Sequence, residues 1–400
     1  RAKLDQGFTD TIFSFRATRT IFRPYQFKPV LKLLNTGSSR MLVADEVGLG
    51  KTIEAGLLWT EMEARHNADR VLVVCPSSLA SKWKREMDER FGFELQDLDM
   101  AGLTNLMDQL QSGRMPRRAA YICTLERLRR WEDLELATEL KLQFDVVIVD
   151  EAHALRNRGT KSHALGEAIS QWADALFFLS ATPVNLRNND LFNLLDLLVP
   201  GEFEDLEGLQ ERLAPNAVLH KVTGSLLDSS VTNTERQMWL DELQTSPFGR
   251  LLTQRPDYDM LREHLLAPTI SSEAVVAIKR LATELHGLNA QLTRTRKVEV
   301  DEGKSLREPR TIPVTWDEDE HVFYGEFLAW CVERARVREQ PLRFAMQMPL
   351  RLAGSCLPEA AMLVRNWGSG ASMGEEIDLP AVAKVHRGPD VPPTPRLLTL

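Results

Sequence analysis

The sequence predicts an α/β fold, a doubly wound parallel sheet with helices on both faces, and three observations support this. Near-continuous apolar runs of strand length recur at 41–44, 70–75, 119–123, 144–149 and 175–179. Amphipathic stretches of helical length separate these runs, as in parallel sheets that are covered on both faces. The unusual polar clusters directly follow the apolar runs, and open α/β sheets bind their ligands at the carboxyl ends of the strands.

The first strand and the first long helix enclose a turn that contains glycine. The apolar residues 41–44 form the end of a predicted buried strand, and residues 51–66 form the predicted helix. Gly48 and Gly50 lack a Cβ, so the backbone between strand and helix can curl tightly and direct its N–H groups at an anion. The positive end of the helix dipole acts on the same point. This arrangement is typical of a phosphate-binding turn.

The residues after the glycines have the chemistry that a bound nucleotide requires. Lys51 would reach the β- and γ-phosphates, and the hydroxyl of Thr52 would hold Mg²⁺. The strict P-loop pattern has glycine where this chain has Asp45, so a glycine-rich turn without a ligand remains an alternative at this point. The predicted nucleotide-binding residues of the turn are Gly48, Leu49, Gly50, Lys51 and Thr52.

The composition is that of an ordinary globular protein. The chain is 43% hydrophobic and 26% charged, and its 400 residues suggest at least two domains. No apolar run approaches the ~18 residues of a membrane span, and residues 1–20 lack the apolar segment of a signal peptide. We therefore expect no membrane association and a cytoplasmic location. The four cysteines show no metal or redox spacing, and two of them, Cys75 and Cys123, are expected in the core.

The N-terminal region is locally basic, although the formal net charge of the chain is −8. Residues 1–40 hold eight Lys and Arg against two Asp, a balance of +6. Within this region Tyr25 and Gln26 precede a helical run, and an aromatic face beside an amide can stack on adenine and hydrogen-bond to it. The alternative is that this pair simply packs at a helix start.

An acidic pair follows the apolar run 144–149. A carboxylate at a strand end beside a phosphate-binding turn is suited to organising Mg²⁺, and Asp150 occupies this position. Glu151 is then placed to orient and deprotonate an attacking water molecule. A helix N-terminus with two complementary acids is an equally weighted alternative for this pair alone.

Short hydroxyl side chains follow the apolar run 175–179. Ser180 and Thr182 would sense the state of the nucleotide through His153, which stands three residues after Asp150. The alternative is a Ser/Thr helix cap ahead of Pro183.

Taken in order, these motifs resemble the first motor lobe of the superfamily 2 helicase-like ATPases, and among them the SWI/SNF-type translocases. The segment Asp-Glu-Val-Gly-Leu-Gly-Lys-Thr-Ile-Glu-Ala-Gly at residues 45–56 is especially similar to the bacterial RapA-like branch. The resemblance implies a RecA-like P-loop lobe that uses ATP and Mg²⁺. It assigns Gln26 to the adenine and Ser180 and Thr182 to coupling hydrolysis with movement. It assigns Lys51 and Thr52 to the phosphates and Mg²⁺, and Asp150 and Glu151 to Mg²⁺ and the attacking water.

The resemblance also implies a nucleic-acid path at the carboxyl edge of the sheet. It matches Ser77, Ser78, Lys82, Thr124 and Arg127 to segments that grip a phosphate backbone. Residues 114–130 add local support, since they hold six arginines against one glutamate. Small hydroxyls and N–H groups at helix starts hold phosphates without identifying bases, so this binding would be sequence-independent. A solvated helix face is the alternative for the arginines, and a cap of the predicted helix 79–91 is the alternative for Ser78.

The motifs, together with the positions of proline and glycine, divide the chain into four predicted segments. We predict the ATP-binding lobe at 1–200, a helical insertion at 201–300 that is broken by prolines, a return to the first lobe with a helical bridge at 301–367, and a linker with the start of a second lobe at 368–400. The first residue is not Met, so the chain is expected to be part of a longer protein. Arg334, Arg336 and Arg338 contact either solvent or DNA.

The predicted activity is ATP-driven translocation on double-stranded DNA that remodels or displaces nucleoprotein complexes. A strand-separating helicase or a motor subunit of a restriction or phage-defence system is the first alternative, and a nucleotide-binding scaffold without catalysis is the second. A protein partner, either RNA polymerase or a defence-system subunit, is expected. The chain has no Gln-x-x-Gly-Arg-x-x-Arg segment of a second lobe. Arginines from such a lobe contribute roughly 10³–10⁵ in rate, so we expect these 400 residues to bind ATP but turn it over very slowly.

Overall fold

The computed structural model describes two compact units. The described residues are 12–17, 19, 21, 23–180, 188–228, 230–267, 269–297, 300, 317–337, 349–354 and 356–368. The first unit is Arg1–Lys304 and the second is Ser305–Leu400. All the residues assigned to the nucleotide site belong to the first unit. The domain boundaries expected within the chain stay predictions.

The first unit is built on a seven-stranded sheet in which every pairing is parallel, in the order β3-β4-β2-β5-β6-β1-β7. This confirms the predicted fold class, a doubly wound RecA-like α/β lobe. The strands are β1 (Arg40–Val43), β2 (Arg70–Cys75), β3 (Gln96–Asp97), β4 (Ala119–Thr124), β5 (Phe144–Val149), β6 (Ala173–Leu179) and β7 (Leu292–Thr293).

Two apolar layers cover the two faces of this sheet, because successive strand residues point to opposite sides. In β5, Val147 and Val149 belong to one buried cluster, and Val146 and Ile148 belong to the other. The helices before β7 are α1 (Ser14–Ala17), α2 (Lys28–Thr36), α3 (Lys51–His66), α4 (Ala80–Phe91), α5 (Met100–Gln111), α6 (Leu125–Leu128), α7 (Leu134–Glu139), α8 (Lys161–Trp172), α9 (Asn188–Leu198), α10 (Leu206–Gly224), α11 (Asn233–Asp241), α12 (Pro247–Thr253), α13 (Pro256–His264) and α14 (Ser272–Glu284).

The sheet positions the site because each side is packed by particular helices. Residues of α2, α3 and α4 pack on one face, and residues of α5, α8 and α9 pack on the other. Cys75 and Cys123 are fully buried in these two layers, which confirms their predicted place in the core. Since all the strands run in the same direction, the residues that follow β1, β2, β4, β5 and β6 come together at one edge.

Local structure differs from the sequence prediction at the start of α4. Ser78 does not cap this helix: it lies in a 3₁₀ turn, Ser77–Leu79, and Leu79 is the N-cap residue without a side-chain cap bond. Pro76 sets this geometry, because it holds an extended conformation from which the tighter turn begins. The hydroxyl of Ser78 is therefore not used as a cap.

The region after α9 is helical, as predicted, but its prolines act differently. Pro215 lies inside α10, buried, and does not end that helix. Pro247 and Pro256 begin α12 and α13, where the missing N–H has no intrahelical partner to lose. Pro268 lies outside the described residues. Helices α10 to α14 share one buried cluster of their own, which includes Leu219, Leu240, Leu261 and Leu281.

The chain returns to the sheet at β7, after the helical region. β7 pairs in parallel with β1, with Leu42 opposite Leu292 and Val43 opposite Thr293. Residues 301–316, the first part of the return predicted at 301–367, lie outside the described residues, and that prediction stays untested.

The second unit contains α15 (Glu318–Val337) and a helix at Leu357–Gly368. They share a small apolar cluster with Ala353 between them in sequence, and its largest members are Phe323, Phe327 and Trp330. Arg336 is exposed and lies 3.9 Å from Glu333 one turn earlier. The Arg334 side chain and Arg338 lie outside the described residues. Among the helices that are described, none is both long enough and apolar enough to span a bilayer.

Candidate active site

The glycine turn closes over the side chain of Gln26. Gly48 and Gly50 have φ angles of 91° and 95°, which an L-residue rarely adopts. A Cβ added to Gly50 would lie 2.4 Å from the Gln26 Nε2 atom, so there is room for hydrogen only. The same Nε2 atom donates to the Leu49 carbonyl at 2.8 Å. Gln26 is buried and lies directly against the turn that the sequence assigns to phosphate.

Lys51 begins α3 at the end of this turn, with Gly50 as the N-cap residue in the left-handed conformation. Its ammonium group donates to the carbonyl of Asp45 at 3.0 Å, so the side chain folds back across the turn. Thr52 is the next residue of the helix and is half-buried. The turn thus combines a lysine, a hydroxyl and the N-terminus of a 16-residue helix at one place.

Asp150 directly follows β5 at the same edge of the sheet, and both of its oxygens accept hydrogen bonds. The indole Nε1 of Trp83 donates to Oδ2 at 2.8 Å, and the Glu151 N–H donates to Oδ1 at 2.9 Å. Burial raises the pKa of the Asp150 carboxyl, whereas the Trp83 bond and the charge of Lys51 act to lower it. Lys51 and Asp150 follow β1 and β5, which lie on either side of β6 at the same edge of the sheet.

Glu151 has a left-handed backbone, with φ of 51°, which turns the chain sharply after the strand. Its Oε2 atom lies 3.0 Å from the Nδ1 atom of His153. This contact holds the pKa of the Glu151 carboxyl below its usual value against the effect of partial burial, and the charge of Lys51 acts in the same direction. Glu151 is therefore an ionised carboxylate at neutral pH, half-buried beside the turn, as a base for water requires.

A second pair of carboxyl groups lies beneath the turn. Asp45 and Glu54 are both almost completely buried, and no N–H or O–H donor of the described chain reaches the oxygens of Glu54. Burial raises the pKa of Glu54 well above its usual value, and the charge and hydrogen bond of Asp45 raise it further. The environment therefore favours the protonated form of Glu54. Asp45 stands at the position where the strict P-loop pattern has glycine.

The residues expected to couple hydrolysis to movement are only partly described. Ser180 follows β6, is fully buried, and donates its backbone N–H to the Val43 carbonyl at the end of β1 at 3.0 Å. His153 lies beside Glu151, as given above. Thr182 lies outside the described residues, so its role stays a prediction.

The geometry fits a nucleotide with Mg²⁺. The turn leaves no space for a Cβ at Gly50 and brings a lysine and a helix N-terminus to one point. The carboxylate of Asp150, after β5, and the hydroxyl of Thr52 are oxygen ligands of the kind that Mg²⁺ prefers. The roles assigned to these residues stay predictions.

The residues expected to hold a nucleic-acid backbone lie at the same edge of the sheet, at the ends of β2 and β4, which β5 and β6 separate from β1 and its glycine turn. β2 and β4 pair with Cys75 opposite Thr124, so Ser77 and Thr124 follow adjacent strand ends. The hydroxyl of Thr124 caps α6 by accepting from the Arg127 N–H at 3.2 Å. The Ser77 N–H is occupied, because it donates to the Glu126 carboxylate at 3.2 Å. A carboxylate thus stands where a phosphate oxygen would bind.

The six arginines of residues 114–130 do not form one patch. Strand β4 separates them by roughly 20 Å, since it rises ~3.3 Å for each of its residues. Arg117 and Arg118, at its amino end, pair with Asp69 and Glu63. Arg127, beyond its carboxyl end, donates to both Asp97 and the Leu98 carbonyl at 2.7 Å.

Two further residues at this edge bear on the nucleic-acid assignment. Lys82 and Ser78 are exposed, and Lys82 lies 3.9 Å from Glu86 on the same helix. Of the arginine group, Arg129 and Arg130 also lie near this edge, and neither forms an ion pair among the described residues. Arg129 donates to the Ser162 hydroxyl at 3.4 Å.

Three residues that the sequence prediction did not include contact the site. Trp83 bonds to Asp150, Glu54 lies against Asp45, and Lys297 approaches Gly48. A glutamate within the otherwise buried stretch of α3 was a usable signal for a special environment. No local pattern marks Trp83 or Lys297, because their contacts depend on chain segments that are distant in sequence.

Comparison with known proteins gives a consistent family. A family model described as the SNF2-related domain matches residues 28–245. The uncharacterized ATP-dependent helicase YqhH of Bacillus subtilis is 31% identical over 191 residues, 48% of this chain and 32% of YqhH. The RNA polymerase-associated protein RapA of Sodalis glossinidius is 30% identical over 268 residues, 64% of this chain and 27% of RapA.

Among solved structures, the SWI2/SNF2 ATPase core of Sulfolobus solfataricus in complex with dsDNA has a TM-score of 0.43 at 14% identity, covering 87% of this chain and 59% of that chain. The chain spans about a third of the length of YqhH and about a quarter of the length of RapA.

Proposed function

Because the chain belongs to the SNF2-related domain family, we propose that it is the ATP-binding lobe of a translocase that moves on double-stranded DNA and remodels or displaces nucleoprotein complexes. The observation that carries this proposal is the meeting of the glycine turn, Lys51 and the pair Asp150–Glu151 at one edge of the sheet. Such a combination serves phosphoryl transfer to water, whereas a turn that merely packs needs no acidic pair.

Each residue has a distinct task in this proposal. Lys51 and the amides of the turn bind the phosphates, and Gln26 orients the adenine. Thr52 and Asp150 hold the metal, which neutralises charge on the phosphate oxygens when it is bound. Glu151 accepts a proton from the attacking water, and His153 fixes the carboxylate of Glu151 in position.

The DNA part of the proposal is supported by small hydroxyls and N–H groups at the edge of the sheet that also carries the nucleotide turn. Ser77 and Thr124 lie at adjacent strand ends, and such groups bind phosphate oxygens without distinguishing bases. We therefore propose binding that is independent of sequence and sensitive to salt. Arg127 enters this surface only if its bond to Asp97 opens.

RNA polymerase is the protein partner that we propose, since the relatives named RapA are described as associated with it. A cytoplasmic location belongs to the same proposal.

The competing activity, strand separation, is favoured by the word helicase in the name of YqhH. Displacement of a triplex-forming strand without separation of a duplex supports translocation, and duplex separation supports the alternative.

The nucleotide part is tested by two substitutions in equilibrium binding and single-turnover hydrolysis. Lys51→Ala is expected to weaken the binding of a fluorescent ATP analogue. Glu151→Gln is expected to leave binding intact and to lower the hydrolysis rate by roughly 10²–10⁴, the usual contribution of a general base. If Glu151→Gln hydrolyses ATP at the unchanged rate, the assignment of the base is wrong.

Slow turnover by the 400 residues is a further part of the proposal. Steady-state ATPase activity with saturating double-stranded DNA is expected to stay low, and to rise by orders of magnitude in a longer version that adds a second lobe with its arginines. Rapid turnover by the 400 residues alone would contradict this.

A further inference from the structure

The chain segment that returns from the helical region continues past β7 along the phosphate-binding turn. The N–H of Ala44 donates to the Thr293 carbonyl at 2.8 Å, and the N–H of Glu46 donates to the Thr295 carbonyl at 3.2 Å. Parallel pairing therefore extends beyond the last residue of β1 and into the turn itself. The residues that follow Thr295 are held beside the site of the phosphates.

Two acidic side chains of the turn fix this returning segment further. Asp45 accepts from the Thr295 N–H through Oδ1 at 2.8 Å, and this bond is buried. Glu46 accepts from the Lys297 N–H through Oε2 at 3.1 Å. Asp45, which stands where the strict P-loop pattern has glycine, thus has a structural role. Its side chain binds the backbone of a segment that is 250 residues away in sequence.

These bonds bring the side chain of Lys297 to Gly48. A Cβ built on Gly48 would lie 3.6 Å from the Lys297 ammonium nitrogen and 3.7 Å from its Cε atom. Within the part of the chain that is described, this ammonium group makes no ion pair. An exposed positive charge without a counterion thus stands against the backbone that is expected to hold phosphate.

We propose that Lys297 is a second phosphate-binding cation, which acts together with Lys51 on the polyphosphate of a nucleotide in the turn. This inference rests on the proposed function, since it requires a nucleotide at that place. A nucleoside triphosphate carries more negative charge than one Mg²⁺ ion and one lysine neutralise, so a second ammonium group has charge to meet. The turn then receives one lysine from its own helix and one from the returning segment.

The proposal has a consequence for the helical region. Lys297 stands on the segment that leaves α14 and β7, so a contact with phosphate ties the end of the helical region to the occupied turn. The strength of this tie depends on the number of phosphates, because the ammonium group recognises charge and not the base or the sugar.

The test compares Lys297→Ala with Lys279→Ala in calorimetric binding of ATP, ADP and AMP. Lys279 is exposed on α14, so its substitution removes the same charge away from the turn. Lys297→Ala is expected to weaken ATP binding about tenfold, because it removes the attraction between a partly hydrated ammonium group and the charged phosphates. The loss for AMP is expected to be smaller, Lys279→Ala is expected to match the unchanged protein, and Lys297→Arg is expected to retain most of the affinity.

Lys51→Ala, measured in parallel, separates this inference from the proposed function. If Lys51→Ala weakens ATP binding and Lys297→Ala behaves like Lys279→Ala, the inference about Lys297 is wrong and the nucleotide site stands. If neither Lys51→Ala nor Lys297→Ala changes binding, the nucleotide site itself is wrong. An equal loss for ATP and AMP with Lys297→Ala would also overturn the inference, because it would show a general structural effect and not recognition of polyphosphate.

Discussion

Replacing Trp83 by phenylalanine tests how the protein keeps Asp150 ionised in a buried position. Asp150 is only 6% exposed, and burial raises the pKa of its carboxyl. The Trp83 indole opposes this, because its bond of 2.8 Å to Oδ2 favours the charged form. A hydrogen bond to a charged group contributes ~1.5–3 kcal/mol. Loss of this bond should therefore raise the pKa of Asp150 further.

The expected result is a shift in the pH dependence of Mg²⁺-assisted nucleotide binding. The metal requires the carboxylate form, so the affinity for a fluorescent ATP analogue with Mg²⁺ should fall on acidification and recover as Asp150 ionises. In Trp83→Phe this recovery should occur at a higher pH than in the unchanged protein. Binding measured without Mg²⁺ should show no such shift, because the metal ligand is then not used.

A matched control separates the hydrogen bond from the loss of a buried indole. Trp172 is equally buried, and its Nε1 atom donates to the neutral hydroxyl of Thr138 at 2.9 Å, away from the site. Trp172→Phe removes the same atoms from the core and should lower stability without moving the pH dependence. The reasoning is refuted if the profile of Trp83→Phe coincides with that of the unchanged protein, or if Trp172→Phe shifts it equally.

Three further predictions concern the turn and the strand ends beside it. Gly50→Ala should weaken ATP binding at least tenfold in the same fluorescence titration, because the new Cβ would lie 2.4 Å from Gln26 Nε2 at a φ of 95°. Glu54→Gln should become more stable relative to the unchanged protein as the pH rises above the ordinary pKa of glutamate. The raised pKa of Glu54 stabilises the unchanged protein at low pH, and this contribution is lost as the pH rises through the pKa of the folded state. Urea unfolding at several pH values measures the difference in stability, and a difference that does not vary with pH would contradict the prediction. Glu126→Ala should strengthen salt-sensitive DNA binding in an anisotropy titration, because it frees the Ser77 N–H for phosphate, whereas unchanged affinity at low and high salt would show that this amide does not meet DNA.

The strands were predictable from sequence because buried parallel strands are continuously apolar. The predicted runs 70–75 and 144–149 coincide with β2 and β5 to the residue. β3 escaped prediction, since it contains only Gln96 and Asp97 and both are exposed. The following helix, α5, had a usable signal in its cap, where Asp99 accepts from the Gly102 N–H at 2.7 Å.

The site was predictable where its parts are local and unpredictable where they are distant. A strand end, a glycine turn and a helix start are neighbours in sequence, so the turn and the acidic pair could be assigned to one edge. The bond from Trp83 to Asp150 joins residues 67 apart, and the contact from Lys297 to Glu46 joins residues 251 apart. Such contacts depend on how helices rotate and where the chain returns. The arginines of residues 114–130 are close in sequence, but β4 separates them in space, so their number alone does not identify a surface.

β1 gains its second neighbouring strand, β7, only when the chain returns to the sheet late in the sequence. β1 lies between β6 and β7, and β7 is formed by residues about 250 positions after it. Until Leu292 and Thr293 arrive, β1 is an edge strand with unpaired N–H and C=O groups, which invite pairing with other chains. A fragment cut at residue 245 should therefore self-associate during refolding, while one that reaches residue 297 should remain monomeric. Closing so long a loop is also slow, so the phosphate-binding turn should be among the last parts of the lobe to form after synthesis.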